Sequence, residues 1–259
     1  MNRDKIFQRL KKKDSAAVGK NFLPVFLPFS AKYDTFAAKT KNILPIRTNM
    51  EMKKFMMAAT ALLLSLTACA QETIKLPAPD KSKATMSVMD ALAQRQSVRS
   101  FSDRALTDDQ LSLLLWAANG INREDGRRTA PTAMNRQDIQ VYVCRADGAF
   151  LYKAKEHALQ RVNSEDLRPH VAGSRQPFAK EAPVCLVIVS DQRQFGPQGS
   201  PDYGRIDAGY VSQNVYLAAT AMGLGTVARA MMDREPLARG LALAPEQLLL
   251  LNHPVGYVK

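Results

Sequence analysis

The sequence predicts a layered α+β (α/β layered) domain over residues 86–259: one sheet with helices packed on it. Three observations carry this. Helical runs with 3.6-residue apolar spacing recur, best in IDAGYVSQNVYLAATAMG, where Val211, Val215, Ala218, Ala219 and Met222 share a face. Short continuous apolar runs, IQVYVC, PVCLVIVS and LLLLNHPVGYV, lie between them and read as buried strands. About 174 residues without internal repeat suit one domain that buries roughly 70% of its surface.

Residues 1–51 hold 11 Lys/Arg against 4 Asp/Glu and no periodicity, which reads either as a disordered basic arm or as a translated stretch ahead of a true start at Met52 or Met50. From Met52, MKKFMMAATALLLSLTACAQ has two lysines, an uncharged run and small residues around a cysteine, the layout of a signal peptide over 52–68. The run Phe55–Ala68 spans about 21 Å as a helix, short of the ~30 Å hydrocarbon core. Leu66-Thr67-Ala68-Cys69 resembles a bacterial lipobox, with Cys69 the lipidated first residue; Ala68-Cys69-Ala70 also fits ordinary signal cleavage, and the lipobox is the preferred reading. Either way the protein is exported to the cell envelope, lipid-anchored or periplasmic. Residues 69–85, with Pro77 and Pro79, read as a linker.

Within the domain, Val88, Met89, Ala91 and Leu92 predict a short helix. Thr107 and Gln110 form a capping box ahead of LSLLLWAANG, whose helix ends at Asn119-Gly120. A polar stretch leads to the strand IQVYVC, LYKAKEHALQRV reads as a helical piece, and PVCLVIVS as the second strand. The long helix, GLGTV, a helix near Arg234–Leu243 and the last strand close the chain. Helices are expected to dominate and to separate few strands.

The net charge of +12 points to an anionic partner until it is located: from Cys69 onward 23 Lys/Arg face 20 Asp/Glu, leaving only +3. A nucleic-acid partner is excluded on that ground. Cys144 and Cys185, inside apolar runs, read as small core residues, with a disulfide as the alternative in an oxidising compartment. His157, His170 and His253 are scattered singly and no metal-ligand spacing occurs.

The turn QRQSVRSF sets two arginines four residues apart around a serine, just after a helix. Together with TDDQLSLLLWAANG, TAPTAMNRQ, DAGYVSQNVYLAATAMGLGTV and HPVGY, in that order over residues 86–259, it resembles the FMN-dependent nitroreductase family. The DAGYVSQN block is most similar to the branch containing the azoline dehydrogenases of peptide biosynthesis. The resemblance implies a homodimer whose fold is a mainly antiparallel sheet flanked by helices, with FMN at the subunit seam. Arg95 and Arg99 would hold the flavin phosphate, whose oxygens guanidinium forks bind bidentately; Gln96 and Ser97 would touch the ring edge, ribityl chain or phosphate. Pro131, Thr132, Ala133 and Asn135 would meet the flavin of the partner subunit. Gly225 would allow close approach, Ala230 would turn a backbone N–H toward N5 or O4, and Arg229 and Lys259 are further cofactor contacts. The long helix is the dimerisation element, and Met231, Met232, Phe178 and Tyr203 are candidates to shape the pocket.

The activity so implied is two-electron, ping-pong hydride transfer through flavin N5 to or from a small organic molecule, nitroaromatic, quinone or similar, with no catalytic side chain. NAD(P)H is the donor the family implies, although an exported protein lacks it; a quinone or a membrane redox partner is the alternative. Two rivals stand beside an enzyme: an exported flavin-binding electron carrier or redox sensor without broad reductase turnover, and a structural lipoprotein without cofactor.

Overall fold

The computed structural model describes residues 72–259. The basic front, the signal segment 52–68 and Cys69 lie outside the described residues. A seven-stranded sheet forms the centre, in the order β1-β4-β3-β2-β5-β7-β6. Its strands are β1 (Thr73–Lys75), β2 (Ile139–Arg145), β3 (Gly148–Lys153), β4 (Ala158–Asn163), β5 (Val184–Asp191), β6 (Gly225–Thr226) and β7 (Gln247–Gly256), and every pairing between them is antiparallel. The helices are α1 (Val88–Gln94), α2 (Asp108–Asn119), α3 (Arg168–Ala172), α4 (Pro201–Ala221) and α5 (Arg234–Gly240).

Strand β5 explains the layering. All eight of its residues are buried, because the sheet is covered on both faces. Successive side chains alternate between faces: Val184, Leu186 and Ile188 join the core beneath α2 and α4, whereas Cys185, Val187 and Val189 join a second core with Leu167, Leu237 and Leu241. The helix α2 begins where its capping box predicts, with Gln110 N–H donating to Thr107 Oγ1 and Thr107 N–H to Gln110 Oε1. Cys144 and Cys185 face each other across the β2–β5 ladder as buried free thiols.

Two segments depart from the sequence reading. LYKAKEHALQRV is the β3–β4 hairpin, not a helix: Phe150, Tyr152 and Leu159 are buried in the core, and Lys155 and Glu156 make the exposed turn. Pairing with β2 on one side and β1 on the other outweighs the helix propensity of Ala, Lys and Glu. The expected linker supplies the edge strand β1, which pairs with β4 and buries Leu76. Strands therefore hold more of the domain than expected. On α4 burial is confined to one face, Gly204, Asp207, Ala208, Val211, Ser212, Val215 and Ala219, while Ile206 and Tyr210 stay 55% and 49% exposed. Among the described residues no helix is long and apolar enough to cross a membrane.

Candidate functional site

The turn after α1 lies against the strand segment 225–230. Val98 N–H donates to Thr226 C=O at 2.9 Å, and Lys259 N–H reaches Ser100 C=O at 3.4 Å, so the chain end flanks the same turn. Gly225 makes this approach feasible: a Cβ there would stand 2.7 Å from Val98 Cγ1. Its role is thus to let the arginine turn dock on β6. Tyr216, on α4, ties the two segments together, because its hydroxyl lies 2.9 Å from Ser97 Oγ and accepts the Ala228 N–H at 2.9 Å. The Arg95 guanidinium sits 5.0 Å over the Tyr216 ring.

Beneath Tyr216 lies buried His253, with its ring edge-on at 5.3 Å. Ser212 Oγ at 2.8 Å and Thr226 Oγ1 at 3.1 Å occupy its two nitrogens. Burial pushes His253 down to about 3, so it is a neutral imidazole that fixes hydroxyls. The sequence reading did not mark Tyr216 or His253. Their signal is faint: Asp207, Ser212 and Tyr216 place polar atoms on the half of α4 that also carries the apolar face.

The expected cofactor residues separate into three sets. Arg95, Gln96, Ser97, Arg99, Gly225, Ala230 and Lys259 belong to connected segments. Arg95 and Arg99 have no carboxylate partner among the described residues, whereas Lys259 Nζ is 3.4 Å from Glu181 Oε2. The Ala230 N–H has no acceptor among the described residues, since the bridge to β7 uses the N–H and C=O of Arg229 with Asn252. Two arginines without a carboxylate, a hydroxyl and an unpaired backbone N–H thus lie on adjoining segments, a set of donors able to meet an anionic group.

Arg229 departs from expectation. Its side chain is buried and donates to Gln176 Oε1 (2.6 Å), Asn252 Oδ1 (2.9 Å) and the carbonyls of Val171 (3.2 Å) and Ala172 (2.6 Å), over the Phe178 ring. These bonds pin the 225–230 segment to the body of the domain. Met232 likewise is core, 8% exposed, and Tyr203 packs on Phe195.

Pro131, Thr132, Ala133 and Asn135 form a separate loop at the other end of α4. Met134, Asn135 and Gln137 all have positive φ, between 50° and 53°, on the order of 1 kcal/mol of strain each for non-glycine residues. What holds the loop is an acid pair. Asp207 accepts the Ala133 N–H through both oxygens, at 3.1 and 2.9 Å. Asp138, fully buried beside it, accepts from Ser190 Oγ through one oxygen, and the other has no donor. Burial, then the Asp207 neighbour, push Asp138 up to about 6, so that it takes up a proton more readily than an ordinary aspartate. From Asp207 to Tyr216 is nine residues of helix, about 13 Å, so one chain holds the two halves of the expected site apart.

A cavity of ≈ 760 Å³ between α4, α5 and β7 takes in only Ala230 of these residues, whereas a cleft of ≈ 320 Å³ lies against Pro131, Thr132 and Asn135. No group of three or more potential metal ligands exists among the described residues.

A layered α+β domain, its antiparallel sheet flanked by helices and its arginine turn docked beside an unpaired backbone N–H, is the frame in which the candidate site sits. The family model described as Nitroreductase family matches residues 92–257. A nitroreductase of Methanocaldococcus jannaschii is 32% identical over 197 residues, 71% of this chain and 97% of its own length. The crystal structure of a nitroreductase from Ralstonia eutropha superposes with a TM-score of 0.65 at 31% identity, over 74% of this chain and 92% of that one. A Desulfovibrio desulfuricans nitroreductase solved in complex with FMN shares the fold, with a TM-score of 0.50 at 24% identity over 67% of this chain and 87% of its own. This chain belongs to the nitroreductase family and is an oxidoreductase.

Proposed function

We propose that the protein is an FMN-dependent oxidoreductase that passes two electrons to or from a small organic molecule, a nitroaromatic, quinone or similar, in two half-reactions. The observation that carries this is the junction made by Tyr216, which joins the Arg95–Arg99 turn to the segment bearing the free Ala230 N–H. The relative solved with FMN, in a shared fold, supports the choice of flavin. When bound, FMN supplies a reversible hydride site. The chain's own part is to bind and orient: Arg95 and Arg99 neutralise the phosphate, Ser97 and Gln96 fix the groups next to it, and the Ala230 N–H donates to the ring where charge changes on reduction. The neutral, buried His253 supports Tyr216 and moves no proton.

The loop 131–135 completes the site from a second copy. The exposed apolar residues Tyr203, Ile206 and Tyr210 on α4, with Val88, Met89 and Leu92 on α1, are the surface that copy would cover. We place the protein in the cell envelope with Cys69 lipidated; residues 52–69 of the sequence alone support this. A Methanothermobacter thermautotrophicus relative, 25% identical, carries the name NADH dehydrogenase/NAD(P)H nitroreductase, which favours NAD(P)H as donor, while export favours a quinol. Stopped-flow reduction by NADH, NADPH and quinols separates them.

The test is flavin content. Purified full-length protein is expected to be yellow and to bind FMN, and the Arg95→Ala/Arg99→Ala double variant to lose at least ~100-fold in affinity, two charge-assisted contacts at roughly 1.5 to 3 kcal/mol each. A folded, colourless protein that takes up no FMN contradicts the proposal.

A further inference from the structure

Next to the flavin-facing loop, the segment 120–129 folds back on itself, with Thr129 N–H on Gly120 C=O and Asn122 N–H on Arg127 C=O. This brings three arginines, 123, 127 and 128, to the ≈ 320 Å³ cleft that Pro131, Thr132 and Asn135 also line. Arg128 is half-buried, and burial lowers its pKa. Its Nε donates to Gln137 Oε1 and its Nη1 to the Asn119 carbonyl, both at 3.1 Å. Both acceptors are neutral. No carboxylate pairs with it and Nη2 has no partner among the described residues. The titratable group that couples to it, Tyr152, is itself pushed well above its usual range by burial and stays neutral. Arg123 donates to Asn122 Oδ1 and the Arg128 carbonyl, again without an acid. The carboxylate that reaches this group is Asp125, on Arg127 at 3.2 Å, with both side chains about half exposed. Such a pair is weak in water.

A partly desolvated guanidinium with no counter-charge is costly unless something else supplies the charge. Gln137 links this arginine to the loop: it accepts from Arg128 and donates through Nε2 to Asn135 Oδ1 and to the Gly126 carbonyl. We propose that the Arg123–Arg127–Arg128 cleft binds the anionic end, carboxylate or phosphate, of the organic substrate, making the enzyme selective for acidic over neutral acceptors. The inference rests on the reading of the loop 131–135 as flavin-facing. The free Nη edge of Arg128 offers a fork matched to two oxygens of such a group.

The experiment compares nitrobenzene, 4-nitrobenzoate and 4-nitrophenyl phosphate as acceptors with the full chain loaded with FMN. One acceptor is neutral; the other two distinguish carboxylate from phosphate. At least one anionic acceptor is expected to show a KM roughly 10- to 100-fold below nitrobenzene, the span of one charge-assisted pair. That ratio should collapse toward one in Arg128→Gln and shrink with rising salt. Arg128→Lys keeps the charge and loses the fork, and Arg127→Gln lies at an exposed position, so one misfolded variant does not end the test. Calorimetric titration with benzoate and inorganic phosphate reads the cleft without turnover, and the Arg128→Gln variant should lose binding of the preferred anion at least tenfold. Equal KM values for all three acceptors, or no anion binding by calorimetry, overturns the inference. A protein that takes up no FMN yet still binds benzoate through Arg128 would instead refute the FMN reading and leave an anion site.

Discussion

Tyr216 and Asp207 sit nine residues apart on α4, and each holds a different loop by its side-chain oxygen: Tyr216 the arginine turn and the segment at Ala228, Asp207 the strained loop at Ala133. Removing either leaves a backbone N–H without its acceptor. Buried Asp138, beside Asp207, makes the surroundings of the second hold sensitive to pH. With its folded pKa raised to about 6 against about 3.9 unfolded, Asp138 contributes stability fully below about 4 and loses it as pH rises through 6. His253, held down at about 3, has the opposite sign: its contribution is present above about 6.5 and falls away as pH drops. The difference between Asp138→Asn and wild type isolates the first group. The variant is expected to gain on wild type as pH rises from 4 to 7, by about 2 kcal/mol, read from urea unfolding at each pH. A loss of the same size at every pH would show that Asp138 titrates alike in the folded and unfolded chain. The arginine turn and the small-residue loop stand out in the sequence because each forms a motif. Tyr216 was not, since one aromatic residue on a helix gives no sign of which oxygens it will meet. That the Arg229 side chain would be held by the Val171 and Ala172 carbonyls was not legible either, because those acceptors come from a distant segment.

The elements that sequence located best are those whose ends are set locally. The capping box fixes the start of α2 and the apolar run fixes β5. The β3–β4 hairpin was missed because its residues favour helix and only its neighbours on both sides decide it; the edge strand β1 was missed because three residues carry no period. At the junction of the arginine turn with β6 the packing has no slack. Gly225→Ala brings a methyl 2.7 Å from Val98 Cγ1, within a buried pair of segments. The expected result is a loss of ~1–3 kcal/mol and at least tenfold weaker FMN binding, with Val98→Ala restoring both in the double variant. FMN affinity unchanged in Gly225→Ala would mean that the turn does not need its seat on β6.

For the whole domain, a sheet covered on both faces makes the layered frame, and membership of the nitroreductase family follows from the match over residues 92–257. The export segment stands on sequence alone. What the single chain leaves apart is the site itself: the arginine turn at one end of α4 and the loop 131–135 at the other, with apolar Ile206 and Tyr210 exposed along the same helix. Completion by a second copy makes a prediction about mixtures. Arg95→Ala/Arg99→Ala cripples one half, and Pro131→Trp, at an exposed loop position, fills the other; neither variant alone should hold FMN. If each site draws the turn from one subunit and the loop from the other, the heterodimer of the two variants contains one intact site and one doubly damaged site. Co-expressing the two with different tags, isolating the mixed dimer and counting flavin by absorbance is therefore the most direct measurement. One FMN per mixed dimer is predicted; none would place the whole site within a single chain.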